Sequence, residues 1–209
     1  MQLGLDRGRI ASINTRENEA PNMLHPSYPI ETPRLRLRPE TMDDLDWMYG
    51  LRQIPEVIEY LPFGAESWDE LKDIMEKRSQ WTNWTEDGDR IMLIAEKKES
   101  GEVIGEVGLF HKAGLKDTAE VGYILHPDHQ GKGYATEMSG EMLRMGFENA
   151  KLHRIVANCN AENTGSLAVM LKLGMRQEGI AKSASFDRGK WRDLLTCAIL
   201  EDEWRAQQG

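Results

Sequence analysis

Ala119-Glu-Val-Gly-Tyr-Ile-Leu-His-Pro-Asp-His-Gln-Gly-Lys-Gly-Tyr-Ala-Thr136 is the stretch on which the reading of this 209-residue chain turns. Residues 118–125 read as a strand, with Glu120, Gly122 and Ile124 on one face and Val121 and Tyr123 on the other. The loop Gln130-Gly-Lys-Gly133 follows, and a helix over about 134–149 begins at once. Its Ala135, Met138, Met142 and Met145 recur at spacings of three and four and form an apolar stripe. Glycines let the backbone turn tightly and approach a ligand with no Cβ in the way. Free amides at a helix start, with the dipole behind them, suit a pyrophosphate. Lys132 adds a screened positive charge. The loop is not a Walker loop, because GxxxxGK[ST] is absent, and Thr136 stands where a third glycine would complete GxGxxG.

Working outward, Arg34-Leu-Arg-Leu-Arg38 alternates with period two, as a half-buried strand does, and Pro39 ends it. Thr41 caps a helix that runs to Arg52 and stops before Pro55, with Asp43 and Asp44 near the positive end of its dipole. Ser67-Trp-Asp-Glu70 matches a capping box and opens a helix to about residue 84. Strands follow at 91–95 and 103–110, joined at Glu99-Ser-Gly-Glu102. After the central helix come a strand at 154–158, a helix at 164–173 stopped by Gly174, and two strands at 175–186 and 191–200. An antiparallel meander followed by helical crossovers predicts an α/β (α+β) fold, a mixed sheet of about seven strands with about four helices on both faces. Residues 1–30 read as an N-terminal extension, either a tail or an arm packing on a partner subunit, and 31–206 as the domain.

Lys and Arg number 26 against 35 Asp and Glu, a net charge of −9, which argues against a nucleic-acid partner and suits a cationic substrate. No apolar run approaches the roughly 20 residues needed to span a bilayer, so no membrane partner is expected. Two cysteines cannot form a disulfide framework, and the start MQLGLDRGRI lacks a signal-peptide core, which together point to the cytoplasm. The five histidines have no HExxH or CxxC companion, so no metal is expected.

Gln130-Gly-Lys-Gly-Tyr-Ala135 resembles the Q/R-x-x-G-x-G/A loop of the GCN5-related N-acetyltransferases (GNAT), which binds the pyrophosphate of acetyl-CoA. Glu31-Thr-Pro-Arg-Leu-Arg-Leu-Arg38 is similar to the opening strand of the RimJ/RimL branch, and Gly122-Tyr-Ile-Leu to its fourth strand. Asn163-Thr-Gly-Ser166 with Leu171-Lys-Leu-Gly-Met175 resembles its N-x-x-S and KLGF signatures. Gly189-Lys-Trp-Arg-Asp193 and Glu203-Trp204 resemble its ending.

The resemblance implies an acetyl-CoA-dependent N-acetyltransferase in which a primary amine attacks the thioester directly. The amine is a protein N-terminal α-amine or that of a small molecule. It further implies a sheet splayed between the fourth and fifth strands, with pantetheine held by the backbone of Ile124, Leu125 and His126. Gln130, Gly131, Lys132, Gly133, Tyr134, Ala135 and Thr136 would hold the phosphates. Asn163 is either a contact to the pantetheine arm or the cap of the helix after it. Glu120 is the candidate base, with an ion-paired surface glutamate as the alternative and Glu106 as fallback. Ser166 is the candidate donor to the thiolate, because Met170 stands where many relatives place a tyrosine acid. Trp47, Trp68, Trp81 and Trp84 read mainly as core, and Tyr60 and Phe63 as the acceptor pocket. Family members are often dimers, so a homodimer is compatible. An acyl-CoA-binding module without turnover and a nucleotide-phosphate binder are the competing classes.

Overall fold

A short turn around Thr32 starts the sheet. Thr32 N–H donates to Leu35 O at 2.9 Å, and its hydroxyl accepts from Leu35 N–H at 3.0 Å. This hairpin joins β1 (Ile30–Glu31) to β2 (Leu35–Pro39), where Leu35 and Leu37 point into the core and Arg36 outward, the alternation expected. The computed structural model describes residues 23–61, 66–86 and 88–209. Helix α1 (Leu45–Arg52) follows a single 3-10 turn, and Pro55 opens the short α2 (Pro55–Ile58). Ser67 and Glu70 form the capping box of α3 (Trp68–Arg78). Then come β3 (Arg90–Lys97), β4 (Val103–His111), β5 (Thr118–Leu125), α4 (Tyr134–Arg144), β6 (Arg154–Asn160), α5 (Thr164–Lys172), β7 (Arg176–Asp187), β8 (Lys190–Leu200) and α6 (Glu201–Ala206).

Among the described residues these elements form an eight-stranded sheet in the order β1-β2-β3-β4-β5-β6-β8-β7 with six α-helices. The strand and helices beyond the expected count are β1, α2 and α6. Each is too short for a periodic signal, and each is held by tertiary contacts. In α6, Trp204 packs on Phe147 at 5.4 Å between ring centroids. Helix α3 ends at Arg78, short of the expected residue 84. Beyond it the backbone is drawn into other pairings: Leu24 and Trp84 exchange hydrogen bonds of 3.1 and 2.9 Å, and Met92 N–H bonds Trp81 O. Of the stretch read as an extension, residues 1–22 lie outside the described residues, whereas Leu24 is buried in the core.

Two apolar layers sandwich the sheet. Met138 and Met142 of α4 pack with Leu93, Val107, Leu109 and Ile155 on one face. Met48, Leu51, Leu71 and Met75 of α1 and α3 pack with Ile94 on the other. All strand pairs are antiparallel except β5 with β6. That pair holds only over Thr118–Glu120 against Arg154–Val156. From Val121 onward β5 has no β6 neighbour, while β6 continues along β8. This is the expected splay between the fourth and fifth long strands, and it opens the cleft that carries the site.

Candidate active site

The turn between β5 and α4 exposes a row of amides. Gly131 and Gly133 have φ of +73° and +83°, a left-handed conformation that a side chain disfavours. The backbone N–H groups from Gly131 through Thr136 have no acceptor among the described residues. They stand at the N-terminus of an eleven-residue helix, where the dipole favours an anion. Ile124, Leu125, Gln130, Gly131, Gly133, Tyr134, Ala135, Thr136, Asn163 and Ser166 line one cleft of about 450 Å³.

Two expected residues lie off this cleft. Lys132 folds back, its Nζ donating to Asp128 O at 2.8 Å. His126 spends its N–H on Ile104 O at 2.9 Å, and its Nδ1 accepts from Asp128 N–H. Because backbone groups alternate along a strand, Ile124 also faces β4 and Leu125 faces the splay. The Leu125 carbonyl there accepts Gln130 Nε2 at 3.3 Å. Asn163 caps α5, its Oδ1 accepting from Ser166 N–H at 2.9 Å. Its side-chain nitrogen has no partner among the described residues, so capping leaves that donor available to the cleft.

A second cavity, of about 800 Å³, lies beyond the first. The two share Tyr60, Leu61, Tyr123, Ile124, Asn163 and Ser166. Glu120 lines the second cavity, with its Oε2 2.6 Å from Lys112 Nζ. Tyr60 lines both, and Phe63 lies outside the described residues. Of the tryptophans, Trp81 lines the second cavity and Trp84 is core. Trp47 packs against the α1–α3 layer, and Trp68 donates to Asp46.

Glu106 sits on β4 opposite Ile124, at the bottom of this cavity. It belongs to a buried chain of charges: Glu40 with Arg78, Arg78 with Glu106, Glu106 with Arg52, and Arg52 with Glu66. Burial alone would raise the Glu106 carboxyl, but the guanidinium charges of Arg78 and Arg52 outweigh it and hold it below the usual range. Glu40, whose oxygens lack aligned donors, is pushed by burial up to about 7.

Tyr123 is the residue that sequence reasoning passed over. It does point away from Glu120, but the splay leaves its hydroxyl free to cross toward α5. There it lies 2.9 Å from Ser166 Oγ and donates to Ser166 O at 3.1 Å. Burial pushes its phenol up to about 12, so it stays protonated at neutral pH. The available signal was a polar ring tip on the strand face that otherwise carries Val121 and Leu125. Met170, at the position of the missing tyrosine acid, is core.

The family model described as "Acetyltransferase (GNAT) domain" matches residues 34–176. The chain belongs to the GNAT acetyltransferases. It is similar to the uncharacterized N-acetyltransferase YnaD of Bacillus subtilis, with 33% identity covering 84% of this chain and 98% of that protein. A crystal structure of a GNAT-family acetyltransferase from Bacillus anthracis superposes with a TM-score of 0.73 at 29% identity, covering 83% of this chain and 98% of the other. A spermidine N(1)-acetyltransferase of Vibrio cholerae is 25% identical over 82% of this chain and 95% of its own. The chain is accordingly an acyltransferase that uses acetyl-CoA, and no helix among the described residues is long and apolar enough to cross a membrane.

Proposed function

We propose that this GNAT acetyltransferase acetylates a primary amine of a small, multiply charged amine. The observation that carries this reading is the junction of the two cavities at Tyr123 and Ser166. A donor reaching in from the amide-lined turn and an amine arriving from the other side meet there.

Acetyl-CoA supplies the electrophilic thioester. Its diphosphate lies on the amides of Gly131–Thr136, and the Leu125 N–H, facing the splay, polarises the thioester carbonyl. Asn163 donates its side-chain nitrogen to the pantetheine arm. Glu120 takes a proton from the ammonium, freeing the nitrogen lone pair for attack. Lys112 already rests an alkylammonium on this carboxylate, the chemistry an amine acceptor presents. The Ser166 hydroxyl, and the Tyr123 hydroxyl once it turns from Ser166 O, donate hydrogen bonds to the departing sulfur, which then takes the second proton of the acylated nitrogen and leaves as the CoA thiol. A phenol near 12 stabilises that thiolate as a donor rather than surrendering its proton.

Support for a multiply charged acceptor comes from the wall. Glu66, Glu106, Glu120, Asp187 and Asp193 line the acceptor cavity against Arg52, Arg78 and Arg192, an excess of two acids, and the whole chain carries a charge of −9. The spermidine acetyltransferase relative points the same way. The test is CoA release with a panel of polyamines, diamines, monoamines and peptides with free N-termini. Turnover with polyamines well above the others is expected. Preferential turnover of peptides would overturn the acceptor assignment, and binding of acetyl-CoA without turnover of any amine would overturn the mechanism.

A further inference from the structure

We propose that Arg34, on the turn between β1 and β2, is a positioning residue that aims the amides of the pyrophosphate-binding turn. The inference rests on the reading of Gly131–Thr136 as the diphosphate site.

Three contacts converge on one guanidinium. Arg34 Nε is 2.6 Å from Glu137 Oε2, and Nη1 donates to Lys132 O at 2.9 Å. The group stacks 4.4 Å from the centre of the Tyr134 ring, and its Nη2 lies 3.4 Å from where a Gly133 Cβ would stand. Glu137, in the first turn of α4, is gripped from the same hairpin by Thr32 Oγ1 at 2.6 Å and Arg34 N–H at 2.7 Å. Burial would raise the Glu137 carboxyl. These hydrogen bonds outweigh it and keep it ionised.

Two consequences follow from elementary geometry and charge. In a trans peptide the carbonyl and the following N–H point in opposite directions. Arg34 holds the Lys132 carbonyl to its own side, so the Gly133 N–H is turned away from Arg34. That N–H has no protein acceptor among the described residues, and Gly133 lines the cofactor cleft. The second consequence is electrostatic. Glu137 puts a negative charge in the first turn of the helix that receives a diphosphate, and Arg34 neutralises it. Lys132, turned onto Asp128 O, does not supply the local positive charge. A planar fork is needed, because one side chain must hold a carboxylate and a carbonyl together.

The experiment compares wild type, Arg34→Met and Arg34→Lys with three donors: acetyl-CoA, acetyl-dephospho-CoA and S-acetylpantetheine, which lacks the diphosphate. For Arg34→Met, KM for acetyl-CoA and for acetyl-dephospho-CoA is expected to rise about tenfold, the loss of one well-aimed charge-assisted donor. KM for S-acetylpantetheine and kcat should stay unchanged. Arg34→Lys should remain weakened. An equal loss with all three donors would reduce Arg34 to a fold-stabilising residue. A loss confined to acetyl-CoA would assign Arg34 to the 3′-phosphate, and full recovery by lysine would mean that charge alone matters. Each of these overturns the inference, as does an unchanged KM. Gly131→Val serves as the separate check of the site. If it binds acetyl-CoA normally, the diphosphate reading itself fails. If it does not, a flat Arg34 result counts against the positioning role alone.

Discussion

Glu120→Gln and Glu106→Gln are expected to separate chemistry from folding at the acceptor cavity. Glu120 has 26% of its side chain exposed and pairs with Lys112, itself 39% exposed. Such a pair is worth about 1 kcal/mol or less, so Glu120→Gln should lower the melting temperature by about 4 °C at most. A general base contributes about 100- to 10,000-fold, and kcat should fall by at least the lower figure while KM for acetyl-CoA holds. Glu106 is the reverse case. Its side chain is 4% exposed and touches two arginines. Removing one partner of a buried pair costs about 3–5 kcal/mol, or about 6–20 °C in melting temperature for a chain of this size. The assay is thiol release at saturating donor and amine, alongside thermal melts of both variants. Wild-type turnover in Glu120→Gln would remove that residue from the mechanism. A normally melting but inactive Glu106→Gln would refute the argument that its two guanidinium partners make it a structural carboxylate.

Glu40→Gln tests the buried charge chain through pH. The Glu40 carboxyl sits at about 7 in the folded protein against an ordinary 4.5. Between those values the folded state keeps a proton that the unfolded chain has released, so stability falls as pH rises across that window. The loss is about 3 kcal/mol at most. The glutamine variant should lack this slope in denaturant midpoints, and parallel slopes would refute the assignment. Tyr123→Phe removes the hydroxyl that meets Ser166, so kcat should drop about tenfold with stability lower by about 1 kcal/mol; an unaltered kcat would exclude Tyr123 from stabilising the departing thiolate. Asn163→Asp keeps an oxygen for the α5 cap but loses the amide donor. It should melt normally yet bind acetyl-CoA more weakly, whereas Asn163→Ala should also lose about 1 kcal/mol of stability. Normal acetyl-CoA binding by the aspartate variant would leave Asn163 as a cap alone.

The turn between β5 and α4 was readable in the chain because its determinants are local. Gly131 and Gly133 announce a turn with left-handed backbone, and the stripe of Ala135, Met138, Met142 and Met145, all buried, announces the helix that follows. The acceptor side was much less legible. Whether Tyr123 meets Ser166 depends on how far β6 departs from β5, and whether Glu106 is a base or a structural anion depends on Arg52 and Arg78 arriving from two helices. The α3 boundary failed for a similar reason: Trp84 joined Leu24, sixty residues earlier, instead of extending a helix.

Sequence by itself determined the order of long elements, the capping box of α3, and the amide-bearing turn, since each rests on backbone preferences within a few neighbouring residues; the expected Thr41 cap instead precedes a 3-10 turn, and α1 starts after Asp44 without a side-chain cap. Tertiary structure decided which polar groups face one another: the guanidinium of Arg34 on the Lys132 carbonyl, the phenol of Tyr123 on Ser166, the carboxylate of Glu106 between two arginines. Those pairings join elements distant along the chain, and their energies come from burial and Coulomb attraction at short range, which exist only once the sheet and its two helical layers have closed around them.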